Sequence, residues 1–436
     1  MRRVWRAKAS DAPSVALDSE RYSAAMAQDR AQAPLVVFDD GRGTFGPLVD
    51  LRAAFELRAG LGTLLERIEH ALARRADALA CDAPIADVVR ENLGRPVNVL
   101  PEAPSILLVN GRLLTATAAR VPEGEVHVAA DGTLVAGWFS RADAARVLAD
   151  RGQMGGRAGG AAPSSSARLA ATPWDIATSI ATTLEEDLQL FPQPVRRALR
   201  PDEGQSFGAH PIVIDPSAVI GPLAVIDASK GPVIIGPNVV VRPLAVLVGP
   251  CAVLDGSTVA ERSLLKASTV IGPHCRAGGE IGGTIFQGYS NKSHDGHLGD
   301  SFVGEWVNIG AGSDNSNLLN TYGEVIVRLE PEGGLMKTGR QFWGAVLGDH
   351  VKLAIGTRLM TGTTIGTGAM IASSRSPATL VPRFSWLTDH ADGAKSFRID
   401  KFLETARAMM SRRGKAPGAA AEARLRALHA RCAGGA

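Results

Sequence analysis

Ile214-Asp215-Pro216-Ser217-Ala218-Val219 runs straight into Ile220-Gly221-Pro222-Leu223-Ala224-Val225, and the phrase returns as Ile235-Gly236-Pro237-Asn238-Val239-Val240 and Val248-Gly249-Pro250-Cys251-Ala252-Val253. Ile271-Gly272-Pro273-His274 and Ile365-Gly366-Thr367-Gly368-Ala369-Met370 continue it. An aliphatic residue falls on every sixth position, with Gly or Asp next and a small residue near the fourth, which is an internal repeat. A triangular parallel β-helix requires that period. Six residues make one face, three faces make a coil, and the aliphatic side chains stack inward while Gly and Pro supply the corners. A β-sandwich would alternate apolar and polar residues at period two instead.

Two stretches are expected to interrupt the coils as insertions, 290–298 and 314–342, and insertions in a solenoid map to surface loops and often to the binding face. The first lies in QGYSNKSHDGHLGDSFVGEWVNIGAGSDNSN, residues 287–317, which holds two of the nine histidines. His294 and His297 sit there among Asn, Ser, Asp and Gly, so their imidazoles stay in contact with solvent and substrate. After Arg383 the repeat stops. Residues 397–410 read as a short amphipathic helix, and 415–436 as an Ala- and Arg-rich tail whose helicity need not survive in isolation.

Upstream the texture is different. Residues 1–33 lack periodicity and read as a flexible extension. Leu35-Val36-Val37-Phe38 reads as a buried parallel strand ending at Asp39-Asp40-Gly41. A helical pattern follows from Leu51 to about Ala78, carried by Leu57, Leu61, Leu64, Leu65 and Ile68. Ser105-Ile106-Leu107-Leu108-Val109 is a second buried strand, ending at Asn110-Gly111-Arg112, and Val126-His127-Val128 a third, with a turn at Asp131-Gly132. Alternating strands and helices make an α/β domain over 34–203. Within it RGQMGGRAGGAAPSSSAR, 151–168, is a flexible loop or linker, and Pro173-Trp174-Asp175-Ile176 opens a helix to about Leu190. The β-helix is expected over 204–385 and the helical tail over 386–436.

Composition narrows the function. A formal charge of +3 over 436 residues argues against a nucleic-acid partner, and no apolar run suits a signal peptide or a membrane span. Four widely spaced cysteines form no CxxC pair and suit a reducing, cytoplasmic setting. With 48 Gly, 25 Pro and 5% aromatic residues, short strands and tight turns are expected.

The repeat together with His294, five residues before Gly299-Asp300, the run Val307-Asn308-Ile309-Gly310-Ala311-Gly312, and Asn317 resembles the left-handed parallel β-helix acyltransferases of the hexapeptide-repeat family. The similarity is greatest to the acetyltransferase half of the bifunctional UDP-N-acetylglucosamine pyrophosphorylase/glucosamine-1-phosphate N-acetyltransferases. His297 stands where that family usually has Tyr, and Asp314-Asn315-Ser316 also departs. Phe38-Asp39-Asp40, Pro47-Leu48, Leu51-Arg52, Glu56-Leu57-Arg58-Ala59-Gly60, Val109-Asn110-Gly111-Arg112 and Pro173-Trp174-Asp175 resemble the divergent sugar-nucleotidyltransferase domain joined to such β-helices in an alternative bacterial version. Gly41-Arg42-Gly43-Thr44 leads to Phe45 without the family's Lys, and Asn110-Gly111 replaces its metal-binding Asp.

What the resemblance implies is N-acetylation of an amino-sugar 1-phosphate by acetyl-CoA, uridylyl transfer from UTP with Mg²⁺, and a homotrimer with sites between subunits. His294 would be the general base; the alternative is that it only bonds its own loop. His297 either contacts substrate or structures the loop. Asn308 and Asn317 either bind sugar hydroxyls or the acyl group, or ladder with their neighbours. Lys292, Lys337, Arg340 and Lys352 are candidate cations for a sugar phosphate or else solvated charges. The pantetheine arm would lie along the backbone of Ala311, Ala354 and Ala372. In the first domain Asp39 and Asp40 would hold Mg²⁺ or cap a turn, Arg52 and Arg58 would clamp phosphates or lie on the surface, and Asn110 would face the nucleotide. Asp175 would do the same or cap its helix. A first domain that binds a sugar nucleotide without turning it over, and a zinc scaffold built on His294, His297 and His350, are the other readings.

Overall fold

In the computed structural model, which describes residues 33–154, 162–163, 166–192, 196–390 and 394–434, the six-residue period becomes a parallel β-helix. One face has nine strands, from Ile212–Ile214 to Leu380–Val381. The second runs from Val219–Ile220 to Ser385–Thr388 and is closed by an antiparallel strand, Ala394–Ser396. The third runs from Gly204–Phe207 to His297–Gly299, and the Asp314–Asn315 and Arg358–Leu359 pair lies beyond it. Inward positions stack in register: Ile220, Val241, Val259 and Ala277 form one such column, resumed by Ile309, Leu353 and Ile371. All seven are buried in the core.

The first face is buried on both sides. Its outward column of Val213, Ile234, Ala252, Val270, Ile285, Phe302 and Val346 packs against Phe45, Leu48, Leu57, Trp174, Ile180 and Leu184. Strands covered on both faces read as continuous apolar runs, hence Val233-Ile234-Ile235.

The covering domain is α/β. Its sheet has the order β2-β1-β3-β5-β4-β6, with β1 Leu35–Phe38, β2 Ala78–Ala80, β3 Ile106–Asn110, β4 Val126–Val128, β5 Leu134–Phe139 and β6 Ala162–Pro163. β1 lies parallel between β2 and β3, and β5 runs antiparallel to both β3 and β4. The expected loop at 151–168 is in part ordered: Met154 is buried and β6 pairs with β4, while 155–161 and 164–165 lie outside the described residues. The expected extension lies outside them too, except for Ala33. The helices are α1 Leu64–Leu72, α2 Ala83–Leu93, α3 Arg141–Ala149, α4 Pro173–Thr178 and α5 Ile180–Leu190.

Three expectations need correction. The helix expected from 51 to about 78 exists only as α1, begun by a Thr63/Glu66 capping box. Residues 51–58 hold one short 3₁₀ turn, Ala54–Glu56, because their polar groups are drawn to the β-helix: Arg58 donates through its backbone N–H to Gln287 Oε1 and through Nε to Gln287 O, both at 3.0 Å, and Gln287 Nε2 donates to Glu56 O at 2.8 Å. Tertiary partners override the helical pattern. Residues 290–298 are no insertion, since Asn291–Lys292 to His297–Gly299 is an ordinary six-residue step between faces; the corner one coil below, from Arg276–Ala277 to Glu280–Gly282, is the shortened one. The second interruption is real, but its first residues, Asp314–Asn315, still pair as a solenoid strand and the excursion begins after them. The C-terminal tail is helical and docked. α6 Ile399–Ser411 and α7 Ala419–Gly434 bury Phe402, Leu403, Leu425 and Leu428 with Leu51, Phe384 and Phe397, and the Glu91 carboxylate of α2 accepts from Ala420 N at the start of α7 (3.1 Å).

The domain junction carries a pH signature. Glu56 is buried, its Oε2 accepts the Ala53 N–H at 2.8 Å, and burial pushes its carboxyl up to about 7. The folded chain then holds this proton more tightly than the unfolded chain, so its contribution to stability is full below the ordinary value of 4.5 and is lost as pH rises to about 7. The loss is at most about 3 kcal/mol. Glu56→Gln should remove it: urea midpoints of variant and parent should diverge in favour of the variant between about pH 5 and about pH 8. A constant gap would assign Glu56 no proton linkage.

Candidate functional site

The corner Ser293-His294-Asp295-Gly296 joins the second face to the third, and His294 is exposed on it. Among the described residues its ring makes no hydrogen bond, so the reading in which it only ties its own loop finds no contact. The corner backbone is held from inside. Lys292, 1% exposed, donates through Nζ to the carbonyls of Gly278 (3.1 Å), His294 (3.1 Å), Asp295 (3.2 Å) and Gly296 (2.8 Å). Burial lowers its ammonium to about 8. Lys292 is therefore not a cation free to meet a sugar phosphate. Below, the corner is pinched by Gly278 and Gly279; a Cβ on Gly278 would lie 2.4 Å from Ser293 O, and Gly279 has φ +75°, so neither position takes a side chain without displacing the His294 corner.

On the second face, Asn291 Nδ2 donates to Asn308 Oδ1 (2.8 Å), and Ser293 Oγ donates to Asn291 Oδ1 (2.9 Å). Asn308 is thus the far end of a ladder that reaches the corner. On the third face, the His297 Nδ1 is 3.1 Å from Asn315 O and its Nε2 3.8 Å from Glu280 Oε1. His297 and Asn317 meet over Gly299, whose missing Cβ would touch both. Asn317 Nδ2 donates to Asp300 Oδ2 at 2.5 Å, and burial raises the Asp300 carboxyl above its usual range. Glu280 lies one coil below His297 in register, with Lys266 at 3.2 Å. Sequence reasoning passed over Glu280 and Lys266; the register of the coils is the signal that would have found them.

The remaining cations go elsewhere. Lys352 donates to Trp306 O (2.9 Å) and His350 O (3.0 Å), with burial lowering its ammonium to about 7. Arg340 donates to Thr178 Oγ1, and Lys337 lies in a hairpin formed by Ile326–Val327 and Met336–Lys337. Arg358 stands in register with Asp314, exposed. Ala354 and Ala372 share one column of the second face with Gly310, through Gly310 N to Leu353 O and Ala354 N to Ile371 O, and Ala311 is the next residue along, its carbonyl taken by Gly356 N. His350 sits at the opposite corner, buried, with its ring against Phe402. Among the described residues no three His, Cys, Asp or Glu side chains come together for a metal, so a zinc site on His294, His297 and His350 is not formed.

In the first domain a cavity of about 350 Å³ opens at the C-terminal ends of β1 and β2, lined among others by Phe38, Asp39, Asp40, Cys81, Asp82 and Arg151. This is where open α/β sheets hold ligands. The acidic groups in it are engaged. Asp40 is held by Arg112 through Nε (2.7 Å) and Nη2 (2.6 Å) and by Asn110 Nδ2 (2.9 Å); burial works against its charge, but these donors leave the carboxyl below its usual range. Asp39 accepts from Gly41 N (2.9 Å) and Ala54 N (2.7 Å). Asn110 also donates to Leu134 O and accepts from Arg112 N. The Arg112 guanidinium occupies both oxygens of Asp40, which therefore does not fit as an Mg²⁺ ligand, whereas each Asp39 oxygen accepts one backbone N–H and keeps a lone pair. Asp175 completes the Thr172 capping box of α4, its Oδ2 accepting the N–H groups of Ala171 and Thr172. Arg52 and Arg58, expected as phosphate clamps, join the two domains instead: Arg58 through Gln287, Arg52 through Asp349 at 3.0 Å and Glu305 at 3.2 Å.

Comparison with known proteins agrees with this two-part architecture. Residues 35–194 match the family model described as sugar nucleotidyl transferase. The bifunctional protein GlmU of Methanococcus vannielii is 32% identical over 127 residues, 29% of this chain and 28% of that protein. The bifunctional sugar-1-phosphate nucleotidylyltransferase/acetyltransferase of Sulfurisphaera tokodaii is 33% identical over 92 residues, 21% of this chain and 22% of that protein. The chain thus covers less than a third of the length of these relatives. Among solved structures, the Francisella novicida UDP-N-acetylglucosamine acyltransferase aligns at 16% identity with a TM-score of 0.28, over 49% of this chain and 73% of that one; the β-helix itself is read from its own ladders. Residues 35–194 therefore carry the match to the sugar nucleotidyl transferase family, and over part of its length the chain is similar to the bifunctional proteins named above.

Proposed function

We propose that the chain is a cytoplasmic transferase that N-acetylates glucosamine 1-phosphate, or a related amino-sugar phosphate, with acetyl-CoA at the His294 corner. The observation that carries this reading is an exposed imidazole that makes no hydrogen bond among the described residues, on a corner whose backbone is fixed from within. The amine reacts as the free base, its ammonium proton having gone to water; its nitrogen attacks the thioester carbonyl while His294 takes the N–H proton made acidic by the new C–N bond, and as the C–S bond breaks that proton passes to the departing thiolate, leaving neutral amide and free thiol. His297, Asn308 and Asn317 contact the sugar or the acyl group. Lys266 and Arg358, on the same face, are the cations for its phosphate. The pantetheine arm follows Ala311, Ala354 and Ala372.

Because the first face is covered by the chain's own α/β domain, the second and third faces are the ones open to other copies, and a homotrimer built on them is the assembly we assign. No helix of the described residues is long and apolar enough to cross a membrane. For the first domain we assign the uridine nucleotide to the crevice above β1 and β2, with uridylyl transfer from UTP as its reaction. A second reading, binding of the sugar nucleotide without turnover, is favoured by the hold of Arg112 on both oxygens of Asp40.

Purified protein given acetyl-CoA and glucosamine 1-phosphate should release free thiol above a control lacking sugar. Release equal to the control would reject this acceptor. Exchange of labelled pyrophosphate into UTP in the presence of a UDP-sugar decides between the two readings of the first domain.

A further inference from the structure

The inward column of the second face runs Ile220, Val241, Val259, Ala277, then Lys292, then Ile309, Leu353 and Ile371. It is aliphatic except at one rung, the rung that carries His294. A lysine at such a position loses its hydration, and it persists only where its charge is met. Here four carbonyl oxygens meet it, three of them from successive corner residues.

The consequence lies on the other side of those peptide planes. In a trans peptide the C=O and the following N–H point in opposite directions. With the carbonyls of His294, Asp295 and Gly296 turned in to the ammonium, the N–H groups of Asp295, Gly296 and His297 are turned out. The third already meets an anion: His297 N donates to Asp314 Oδ1 at 2.6 Å. The N–H groups of Asp295 and Gly296 have no acceptor among the described residues, and they lie beside the exposed His294. Successive outward amides are an anion-binding device.

We infer that Lys292 is a positioning residue for acetyl transfer, which turns the Asp295 and Gly296 amides outward so that they receive the oxyanion of the tetrahedral intermediate formed at His294. The inference rests on the acetyltransferase reading of this corner. Lys292 touches neither substrate nor coenzyme; it acts through the backbone. A neutral apolar residue of similar length fits the column as well as its neighbours do, so the loss of the ammonium separates orientation of the corner from stability of the fold.

The test is Lys292→Met in the full chain beside His294→Ala. Expected is a fall in kcat of about 10²-fold, the size seen when one oxyanion donor is lost, with KM for both substrates within about threefold and thermal stability unchanged or raised. Hydrogen exchange over 293–297 should quicken by about tenfold or more, which a residue that merely filled the core would not produce. Should Lys292→Met fail to fold, Lys292→Gln, which keeps two donor hydrogens, takes its place. Retained kcat in Lys292→Met while His294→Ala is inactive overturns the inference and leaves the acetyltransferase reading intact. Activity in both overturns that reading. If both Lys292 variants fail to fold, Lys292 is a folding residue and the positioning role is rejected.

Discussion

Replacing His294 with Ala is expected to lower acetyl transfer by about 10²- to 10⁴-fold, the range general-base catalysis supplies, while the β-helix stays assembled. The second half follows from where the side chain is. His294 is exposed, and its ring bonds nothing among the described residues, so truncation removes no packing and strands no buried partner. The corner keeps its shape because Lys292 grips main-chain carbonyls, which an alanine also has. Affinity for acetyl-CoA should therefore hold within a few-fold as kcat collapses, the pattern of an interaction made in the transition state. Kinetics with varied acetyl-CoA and a measurement of assembly size check both halves. A variant that turns over at the parental rate removes His294 from the chemistry.

Arg52→Ala should cost about 3–5 kcal/mol of stability, read as a lowered urea midpoint. Arg52 donates through Nη1 to Leu48 O and Asp349 Oδ1, both at 3.0 Å, and its Nη2 lies 2.9 Å from Asp349 Oδ2, an ion-pair contact without hydrogen-bond alignment, and 3.2 Å from Glu305 Oε2. The Asp349 side chain is 1% exposed, and burial raises its carboxyl even with Arg52 beside it. Without the guanidinium an unpaired carboxylate would be left at the domain junction. The variant must then protonate Asp349 or open the junction. Its deficit should accordingly narrow as pH falls, because a buried carboxyl with a raised folded-state value is most stable when protonated. Arg52→Met combined with Asp349→Leu, which removes both charges, should recover most of the loss. A deficit under about 1 kcal/mol at neutral pH would mean that the junction rests on its apolar packing and the Arg58–Gln287 hydrogen bonds without a contribution from Arg52.

The β-helix was legible because its period is a local property of the chain: the aliphatic at every sixth residue, as at Ile235, Val241, Leu247 and Val253, lands in the core, and Val248 in the phrase Val248-Gly249-Pro250 stands one residue out of step with it. The buried strand at 35–38 was legible for the same reason. What could not be read was anything decided by a partner far away in the chain. Arg52 and Arg58 carry the residue type of a phosphate clamp, yet their partners are Asp349 and Gln287, hundreds of residues on. Asp40 looks like a metal ligand until Arg112 is seen to hold both its oxygens. The same limit produced the helix expected from 51, whose residues are drawn off to the solenoid. Around His294 the residue types suggested chemistry, but the direction of Lys292 follows from register, since counting coils places it in an inward column between Ala277 and Ile309. Polar character alone had suggested an outward, substrate-facing lysine.

The measurement that bears most directly on the account is transfer of a labelled acetyl group from acetyl-CoA to glucosamine 1-phosphate, by the full chain with UTP omitted. Label recovered in the sugar phosphate with the parent protein, and lost in His294→Ala, is the predicted result. Absence of label from the sugar phosphate, in protein that is folded and still binds coenzyme A, would contradict it.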